Sequence, residues 1–305
     1  MTWLVLRVAE RPFQEEGKIT IPLMKNDKVE FISFDLKDPL LNTDDPREPK
    51  YDGETYLSTI SHLRILCSKD GISFKDAGLP DLRGKGPLES YGIEDCRVSK
   101  MQDDTYLLTY TATSPNGYGV GLRRTSNWKS FDELGMILPP ANKDCAIFEK
   151  KIKRMYFCFH RPSGVGLGGN YIWLASSPDL INWGNHICIA KTREGMWDSS
   201  RIGAGATPIE TERGWLAIYH GADHQNRYCL GALLLDKNNP SKVVGRSKKP
   251  IMEPTAIYEK EGFFGNVVFT NGHIVKDDTL ILYYGASDSV ICSAEFSISE
   301  ILKTL

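Results

Sequence analysis

The chain has 305 residues, of which 41% are hydrophobic and 25% charged, and its formal net charge is −2 at pH 7. This balance is typical of a globular protein and excludes an intrinsically disordered chain. It also lacks the basic field that a general nucleic-acid-binding protein needs, so we expect no nucleic-acid partner.

The N-terminus does not have the pattern of a targeting segment. The apolar run at residues 3–6 stops at Arg7, and neither a basic leader nor a small-residue cleavage site accompanies it. We expect no membrane contact, because the sequence contains no run of about 18 apolar residues. Seven cysteines, none in a C-x-x-C pair, mostly lie in apolar strand-like runs. They predict buried free thiols in a cytoplasmic protein and do not favour a zinc site.

A repeat runs through the chain. Polar turns at residues 68–74, 125–131, 177–183 and 236–242 each follow an apolar strand, and a fifth copy starts at residue 297. The marker positions Asp70, Asn127, Asp179, Asn238 and Ser299 are spaced by 57, 52, 59 and 61 residues. Paired strands precede four of these turns, as in residues 95–101 and 105–111. Radially repeated four-stranded units are typical of propellers, so the repeat predicts an all-β fold, a five-bladed β-propeller.

Other folds fit the pattern less well. A pair of β-sandwiches is the alternative architecture, whereas barrels and doubly wound sheets need long helices that the sequence lacks. The one helix predicted is residues 299–305, with Ser299 as its cap. We expect a single catalytic domain over residues 1–305.

The first repeat differs from the others. Residues 3–9 align with a second strand and residues 62–67 with a third, so the first strand of that blade would lie before Met1. We expect either a shortened N-terminus or another segment in that place. Residues 10–56 are interpreted as a long insertion, with an irregular loop at residues 44–49.

Charged residues gather where the first strands begin, which in a propeller is the central funnel. These positions and the ends of the second strands carry Glu94, Asp95, Arg97, Lys143, Asp144, Arg201, Asn266, His160, Arg161 and His220. Such a cluster indicates a site for a polar or anionic ligand, and its cations could hold a phosphate. The alternative is a salt-bridged hub that only ties the sheets together. The glycine-rich run at 164–169 is interpreted as a loop, since no helix follows it.

Several motifs together carry a family resemblance that covers nearly the whole chain. They are GIEDCR at 92–97, NKDCAIF at 142–148, HRP at 160–162, IGAGATPI at 202–209, GWLAIYHG at 214–221, NVVF at 266–269 and YYGASD at 283–288. The sequence resembles glycoside hydrolase family 130, the mannoside phosphorylases and related mannosidases. The family motif usually reads Glu-Asp-Pro-Arg, and here Cys96 replaces the proline.

The resemblance implies a five-bladed propeller that catalyses inverting phosphorolysis of β-mannosides, with β-1,2-linked manno-oligosaccharides favoured. It implies that Asp95 is the general acid. The residues implied to bind phosphate are Lys143, His160, Arg161 and His220. Those implied to contact the sugar are Arg7, His62, Arg64, Glu94, Arg97 and Asp288.

Phosphate is itself a charged nucleophile, so it needs cations to position it and no second carboxylate to activate water. Three other functions stay open: a β-mannosidase, a phosphorylase of β-1,4-mannosyl-glucose or -N-acetylglucosamine, and a non-catalytic scaffold. No metal or organic cofactor is implied, because inorganic phosphate is a substrate. A homo-oligomer is compatible with the sequence.

Overall fold

The protein, described here by a computed structural model over residues 1–164 and 168–305, is almost entirely β-structure. Within that described part the helices are α1 (Ile257–Lys260), α2 (Ile298–Lys303) and a single 3-10 turn (Pro87–Glu89). No described helix has the length and apolar character to cross a membrane. The predicted all-β class is confirmed, whereas the five-bladed arrangement stays a prediction. The predicted loop at 164–169 includes residues 165–167, which lie outside the described residues.

The chain divides into two compact units. The first comprises Met1–Cys96 and Tyr110–Gly121, and the second comprises Arg97–Thr109 and Leu122–Leu305. The chain passes between the units inside three strands, which are β9 (Gly92–Lys100), β10 (Tyr106–Ser114) and β11 (Gly117–Thr125). The expectation of one domain over residues 1–305 stays a prediction.

The first unit is built around a pair of long strands. The strands before β9 are β1 (Thr2–Glu10), β2 (Lys18–Lys25), β3 (Lys28–Asp35), β4 (Leu41–Asn42), β5 (Lys50–Tyr51), β6 (Glu54–Thr55), β7 (Ile60–Ser68) and β8 (Lys75–Asp76). Strands β1 and β7 pair antiparallel over their whole lengths, as predicted for residues 3–9 and 62–67. The inserted segment is more regular than predicted, because it holds the hairpin β2–β3 and the small sheet β4–β5–β6.

Sheets of consecutive antiparallel strands make up the second unit. Its further strands are β12 (Asp132–Leu138), β13 (Asn142–Ile147), β14 (Tyr156–Pro162), β15 (Ile172–Ser177), β16 (Gly184–Ala190), β17 (Arg201–Ala204), β18 (Ile209–Thr211), β19 (Gly214–Ala222), β20 (Tyr228–Leu235), β21 (Val243–Arg246), β22 (Val268–Lys276), β23 (Thr279–Ala286) and β24 (Val290–Ser297). The sheet orders are β13-β14-β15-β16, then β17-β19-β20-β21 with β18 beside β19, and finally β22-β23-β24.

Side-chain-capped turns explain the repeat seen in the sequence. Asp70, Asn127 and Asp179 each use Oδ1 to accept hydrogen bonds from the backbone amides two and three residues further on. An Asx turn of this kind closes the link after a strand within a few residues, and the next residue, which is Gly71, Trp128 or Leu180, has a positive φ in all three copies. In the fourth copy the capping residue is Asp236, two residues before the predicted marker Asn238.

The C-terminal helix begins earlier than predicted. Helix α2 is capped by Ser297, whose Oγ accepts a hydrogen bond from the Glu300 amide at 3.1 Å. The predicted cap Ser299 instead donates its backbone amide to Asp278 at 2.8 Å. Ser297 and Ser299 are both suitable helix caps by residue type. Because Asp278 in the turn between β22 and β23 binds the Ser299 amide, Ser297 is the residue that caps α2.

Two apolar clusters form the core of the second unit. Phe148 is fully buried and makes edge-on contacts with Phe159 and Trp215 at centroid distances of 5.1 and 5.0 Å. The other cluster packs β23 against β19 and β20, and Ile298 and Ile301 of α2 cover it. These clusters join neighbouring sheets, so they fix the positions of the strand ends that carry the charged residues.

Candidate active site

The same unusual backbone conformation recurs where strands begin. Asp95 on β9, Asp144 on β13 and Asn266 just before β22 have φ values of 53°, 55° and 59°. Asp and Asn tolerate this left-handed region better than other residues with a side chain. On β13 it coincides with a register shift between Lys143 and Ala146, a bulge that turns the Asp144 carboxylate out of the regular pleat.

Asp144 is the centre of a buried cluster of basic groups in the second unit. Its Oδ1 accepts a hydrogen bond from Arg97 Nη2 at 3.0 Å, and its Oδ2 lies 3.0 Å from Arg161 Nε. His220 Nε2 lies 3.4 Å from the same Oδ2 and 3.5 Å from Arg161 Nη1. The structure therefore brings two of the predicted phosphate-binding residues, Arg161 and His220, to one carboxylate.

Charge pairing decides the protonation of this cluster. Burial by itself would raise the pKa of Asp144, but Arg161, Arg97 and His220 together hold it well below its usual range. Burial lowers the pKa of His220, and the opposing effect of Asp144 does not overcome it. At neutral pH the cluster thus contains an ionised carboxylate, two guanidinium groups and a neutral imidazole.

Arg97 is a structural tie in this cluster. Its side chain is 1% exposed, and Nε and Nη2 donate to the carbonyl oxygens of Gly205 and Ala204 at 2.8 and 2.9 Å. Two carbonyls and the Asp144 carboxylate thus hold the Arg97 guanidinium in place. The contact of Arg97 with the sugar stays a prediction.

Two glycines allow the close packing around Asp144. A Cβ on Gly203 would lie 2.1 Å from Asp144 Oδ2 and 2.6 Å from the His220 ring, and one on Gly205 would lie 2.7 Å from the Ile218 carbonyl oxygen. The glycines of the IGAGA run are therefore required by close approach, which the sequence pattern did not reveal.

Lys143 lies beside this cluster along the chain. It is half-buried on β13, and its Cα is in register with that of Arg161 on β14. The Nδ1 atom of His220 is buried and accepts no hydrogen bond from the described residues. Lys143, Arg161 and His220 are thus the residues of the predicted phosphate set that the geometry groups together.

His160 belongs to a different group. It precedes Arg161 on β14, and neighbouring residues of a strand point to opposite faces. Its Nδ1 lies 3.1 Å from Asn142 Oδ1 and its Nε2 lies 3.0 Å from His186 Nδ1, so both ring nitrogens are already bonded. Burial, and then the neighbouring His186, lower the pKa of His160 to about 3. The predicted contact of His160 with phosphate stays a prediction.

In the first unit, Arg7 and Glu94 form a second polar group. Arg7 Nη2 lies 3.0 Å from Glu94 Oε2, and Arg7 Nε donates to Ser61 Oγ at 2.9 Å. The side chains of Arg7 and Glu94 are 38% and 18% exposed, so both reach solvent. Two of the predicted sugar-contacting residues are therefore held together with Ser61.

His62 and Arg64 lie on the opposite face of β7 from Ser61. His62 Nε2 is 3.0 Å from Asp81 Oδ2, and the Arg64 guanidinium contacts both Asp81 oxygens at 3.1 and 3.2 Å. Burial lowers the pKa of His62 despite its acidic neighbours. Four of the six predicted sugar contacts therefore form two groups, one with Arg7 and Glu94 beside Ser61 and one with His62 and Arg64 at Asp81.

The two remaining predicted residues are placed as follows. Asp95 is half-buried in the first unit, two residues before Arg97 of the second unit. Asp288 is exposed in the turn between β23 and β24. The convergence of Asp95 with Lys143 and Arg161 on one pocket stays a prediction. No group of residues suited to a metal ion occurs in the described part of the chain.

The sequence contained one signal for the central role of Asp144. The dipeptide Asp-Cys occurs at 95–96 and again at 144–145, at the start of successive first strands. No such signal pointed to Asn142 and His186, which bond to His160, or to Asp81, which contacts His62, because these partners are distant in sequence.

Comparisons with known proteins identify the family. The glycoside hydrolase family 130 model, described as beta-1,4-mannooligosaccharide phosphorylase, matches residues 41–305. A beta-1,2-mannobiose phosphorylase of Listeria innocua is 43% identical, with 99% of this chain and 87% of that protein covered. A 1,2-beta-oligomannan phosphorylase of Thermoanaerobacter is 41% identical, with 81% and 82% covered.

Structural comparison agrees with this. The solved structure of the Listeria innocua beta-1,2-mannobiose phosphorylase, in complex with beta-1,2-mannobiose, is 42% identical and has a TM-score of 0.94. The match covers 99% of this chain and 88% of that one. The chain therefore belongs to glycoside hydrolase family 130.

Proposed function

We propose that this protein catalyses the reversible phosphorolysis of β-1,2-linked mannobiose or manno-oligosaccharides. Phosphate attacks the anomeric carbon with inversion, which gives α-mannose 1-phosphate and a shortened acceptor. The observation that carries the proposal is the pair of Arg161 and His220 at Asp144, with Lys143 in register with Arg161 on the neighbouring strand, because a hydrolase needs no cations for an anionic nucleophile. The two relatives above 40% identity, which are a β-1,2-mannobiose and a 1,2-β-oligomannan phosphorylase, support the linkage.

Asp95 is the general acid in this proposal. As a phosphate oxygen forms a bond to the anomeric carbon, the glycosidic C–O bond breaks and its oxygen takes the proton of Asp95, directly or through a sugar hydroxyl. Asp144 has the same backbone conformation at the start of its own strand, yet it cannot serve as the acid. Its pKa is held well below the usual range, so at neutral pH it has no proton to give.

The proposed ligand contacts are of two kinds. Lys143 and Arg161 supply the positive charge for phosphate, with His220 beside Arg161. Arg7 and Glu94 contact sugar hydroxyls, because their side chains are partly exposed and oriented by Ser61. Asp288 and the group of His62 and Arg64 are further candidates for contacts with the mannoside.

The five-bladed propeller is the arrangement that we propose for the whole fold. Four copies of the strand-and-turn repeat with Asx turns support it, as do the fifth strand copy, which leads into α2, and the consecutive antiparallel sheets. A cytoplasmic location is proposed from the seven free cysteines, of which five are buried.

A phosphate-dependence assay tests the proposed function. The wild-type protein is incubated with β-1,2-mannobiose in buffers with and without inorganic phosphate, and ³¹P NMR identifies any sugar phosphate and its anomer. We expect α-mannose 1-phosphate, with no turnover when phosphate is absent. Equal turnover in both buffers would identify a β-mannosidase instead. Turnover restricted to β-1,4-linked substrates, run in parallel, would overturn the proposed linkage.

A further inference from the structure

Asp144 has a position that the proposed reaction does not explain. It is 1% exposed and ionised, and its two carboxylate oxygens contact Arg97, Arg161 and His220. A carboxylate weakens the attraction of its surroundings for an anion, so a site selected only for positive charge would not contain one. Its presence calls for a geometric reason.

The two arginines depend on Asp144 to different degrees. Arg97 also donates to the carbonyl oxygens of Gly205 and Ala204, so backbone groups hold it even without a carboxylate. Arg161 has no such carbonyl partners in the described contacts of this cluster: its Nε lies 3.0 Å from Asp144 Oδ2 as an ion pair, and its Nη1 lies 3.5 Å from His220 Nε2. The planar fork of an arginine is useful for phosphate only when its plane is fixed.

We propose that Asp144 is a positioning residue that fixes the plane of the Arg161 guanidinium for inorganic phosphate. This inference rests on the proposed phosphorylase function. The bulge on β13 and the missing Cβ of Gly203 serve the same geometry, because they bring the carboxylate within reach of both arginines and His220.

The substitution Asp144→Asn separates geometry from charge. An asparagine side chain accepts hydrogen bonds at one end and donates at the other, so its amide group would face one of the two arginines. Because Arg97 has its carbonyl partners, Arg161 is the one that loses its place. A misplacement of about 1 Å costs up to roughly 100-fold, so we expect KM for phosphate to rise roughly 10- to 100-fold. KM for β-1,2-mannobiose should change less than about threefold.

The opposite result would overturn the proposal. Asp144→Asn removes a negative charge, so a site governed by net charge would bind phosphate more tightly and KM for phosphate would fall. An unchanged KM for phosphate, or an equal rise in both KM values, would equally reject a positioning role.

Asp198 offers a matched control. It is also fully buried, and it contacts Arg193, Arg246 and the Tyr219 hydroxyl. Tyr219 precedes His220 on β19 and points to the other face of the strand, away from the Asp144 cluster. Asp198→Asn therefore disturbs a comparable buried ion pair and should leave KM for phosphate unchanged. A rise equal to that of Asp144→Asn would mean that any loss of packing has this effect.

A double-mutant cycle tests whether Asp144 acts through Arg161. Arg161→Ala alone should raise KM for phosphate, and adding Asp144→Asn should then raise it by less than about threefold, because the group being positioned is gone. Independent, multiplying effects would overturn the proposed route. If Asp144→Asn fails to fold, Asp144→Glu keeps the charge but moves the carboxylate by one methylene group, and the same rise in KM for phosphate is expected.

These experiments separate the inference from the function on which it rests. A wild-type protein that turns over mannobiose without phosphate would remove the proposed function. A phosphate-dependent wild type with an unaffected Asp144→Asn variant would remove the inference alone.

Discussion

Because His160 is buried, we predict a specific dependence of the free energy of unfolding on pH. Its ring is bonded to Asn142 and His186, and its pKa is lowered to about 3 from 6.5. The folded state therefore keeps His160 neutral where the unfolded chain takes up a proton. The stability linked to this group is fully present above pH 6.5 and is lost progressively as the pH falls toward 3.

The size of the effect follows from the two pKa values. Each pKa unit corresponds to about 1.4 kcal/mol, and pH 5 lies 1.5 units below the unfolded value of 6.5. Protonation of His160 in the unfolded chain should therefore lower the free energy of unfolding by roughly 2 kcal/mol between pH 7 and pH 5. Most carboxylates do not titrate in this interval, and other buried histidines contribute equally to wild type and variant.

The assay compares the wild type with His160→Gln. Glutamine can donate to Asn142 Oδ1 and accept from His186 but does not titrate, so it preserves the hydrogen bonds without the proton uptake. Urea unfolding is followed by tryptophan fluorescence and circular dichroism at pH 7 and pH 5, with coincident curves required. We expect the wild type to lose roughly 2 kcal/mol more than the variant over this interval. Equal losses in both proteins would refute the assignment of His160 as a neutral buried group.

Three further predictions concern single residues. Asp95→Asn should lower kcat for phosphorolysis by about 10²- to 10⁴-fold, and a change under tenfold in initial-rate assays would contradict its role as the acid. Asp198→Ala leaves Arg193 and Arg246 without their carboxylate and should lower the free energy of unfolding by roughly 3 kcal/mol. A loss below about 1 kcal/mol in urea titrations would argue against a tightly coupled ion pair. Ser297→Ala removes the cap of α2 and should cost about 1 kcal/mol in the same titration, with Ser299→Ala as the milder comparison.

The sequence was sufficient for the local parts of the fold. Asp70, Asn127 and Asp179 marked the turns correctly, because an Asx turn forms within four residues and needs no distant partner. The pairing of β1 with β7 was predicted from alignment of the repeat, although 50 residues separate the two strands. The hairpin β2–β3 was missed, because half of its residues are exposed and show no clear alternation.

The partners of the charged side chains in the candidate site could not be predicted from the sequence. Arg97, Arg161 and His220 were recognised by their positions at strand ends, but the sequence could not tell a ligand contact from a tie between sheets. That difference depends on which oxygen atoms surround each guanidinium. For Arg97 they are the carbonyls of Gly205 and Ala204, more than 100 residues away along the chain.

The amino-acid sequence alone determined the β class, the repeat and the family, because strand periodicity, turn chemistry and motif spacing are local properties. Only the tertiary structure decided which face of a strand each charged residue occupies and which groups share a buried carboxylate. A one-residue difference places His160 and Arg161 on opposite faces, and a single bulge turns Asp144 toward two arginines. These outcomes depend on contacts between distant segments, in which burial makes every unpaired charge costly, and no local pattern records them.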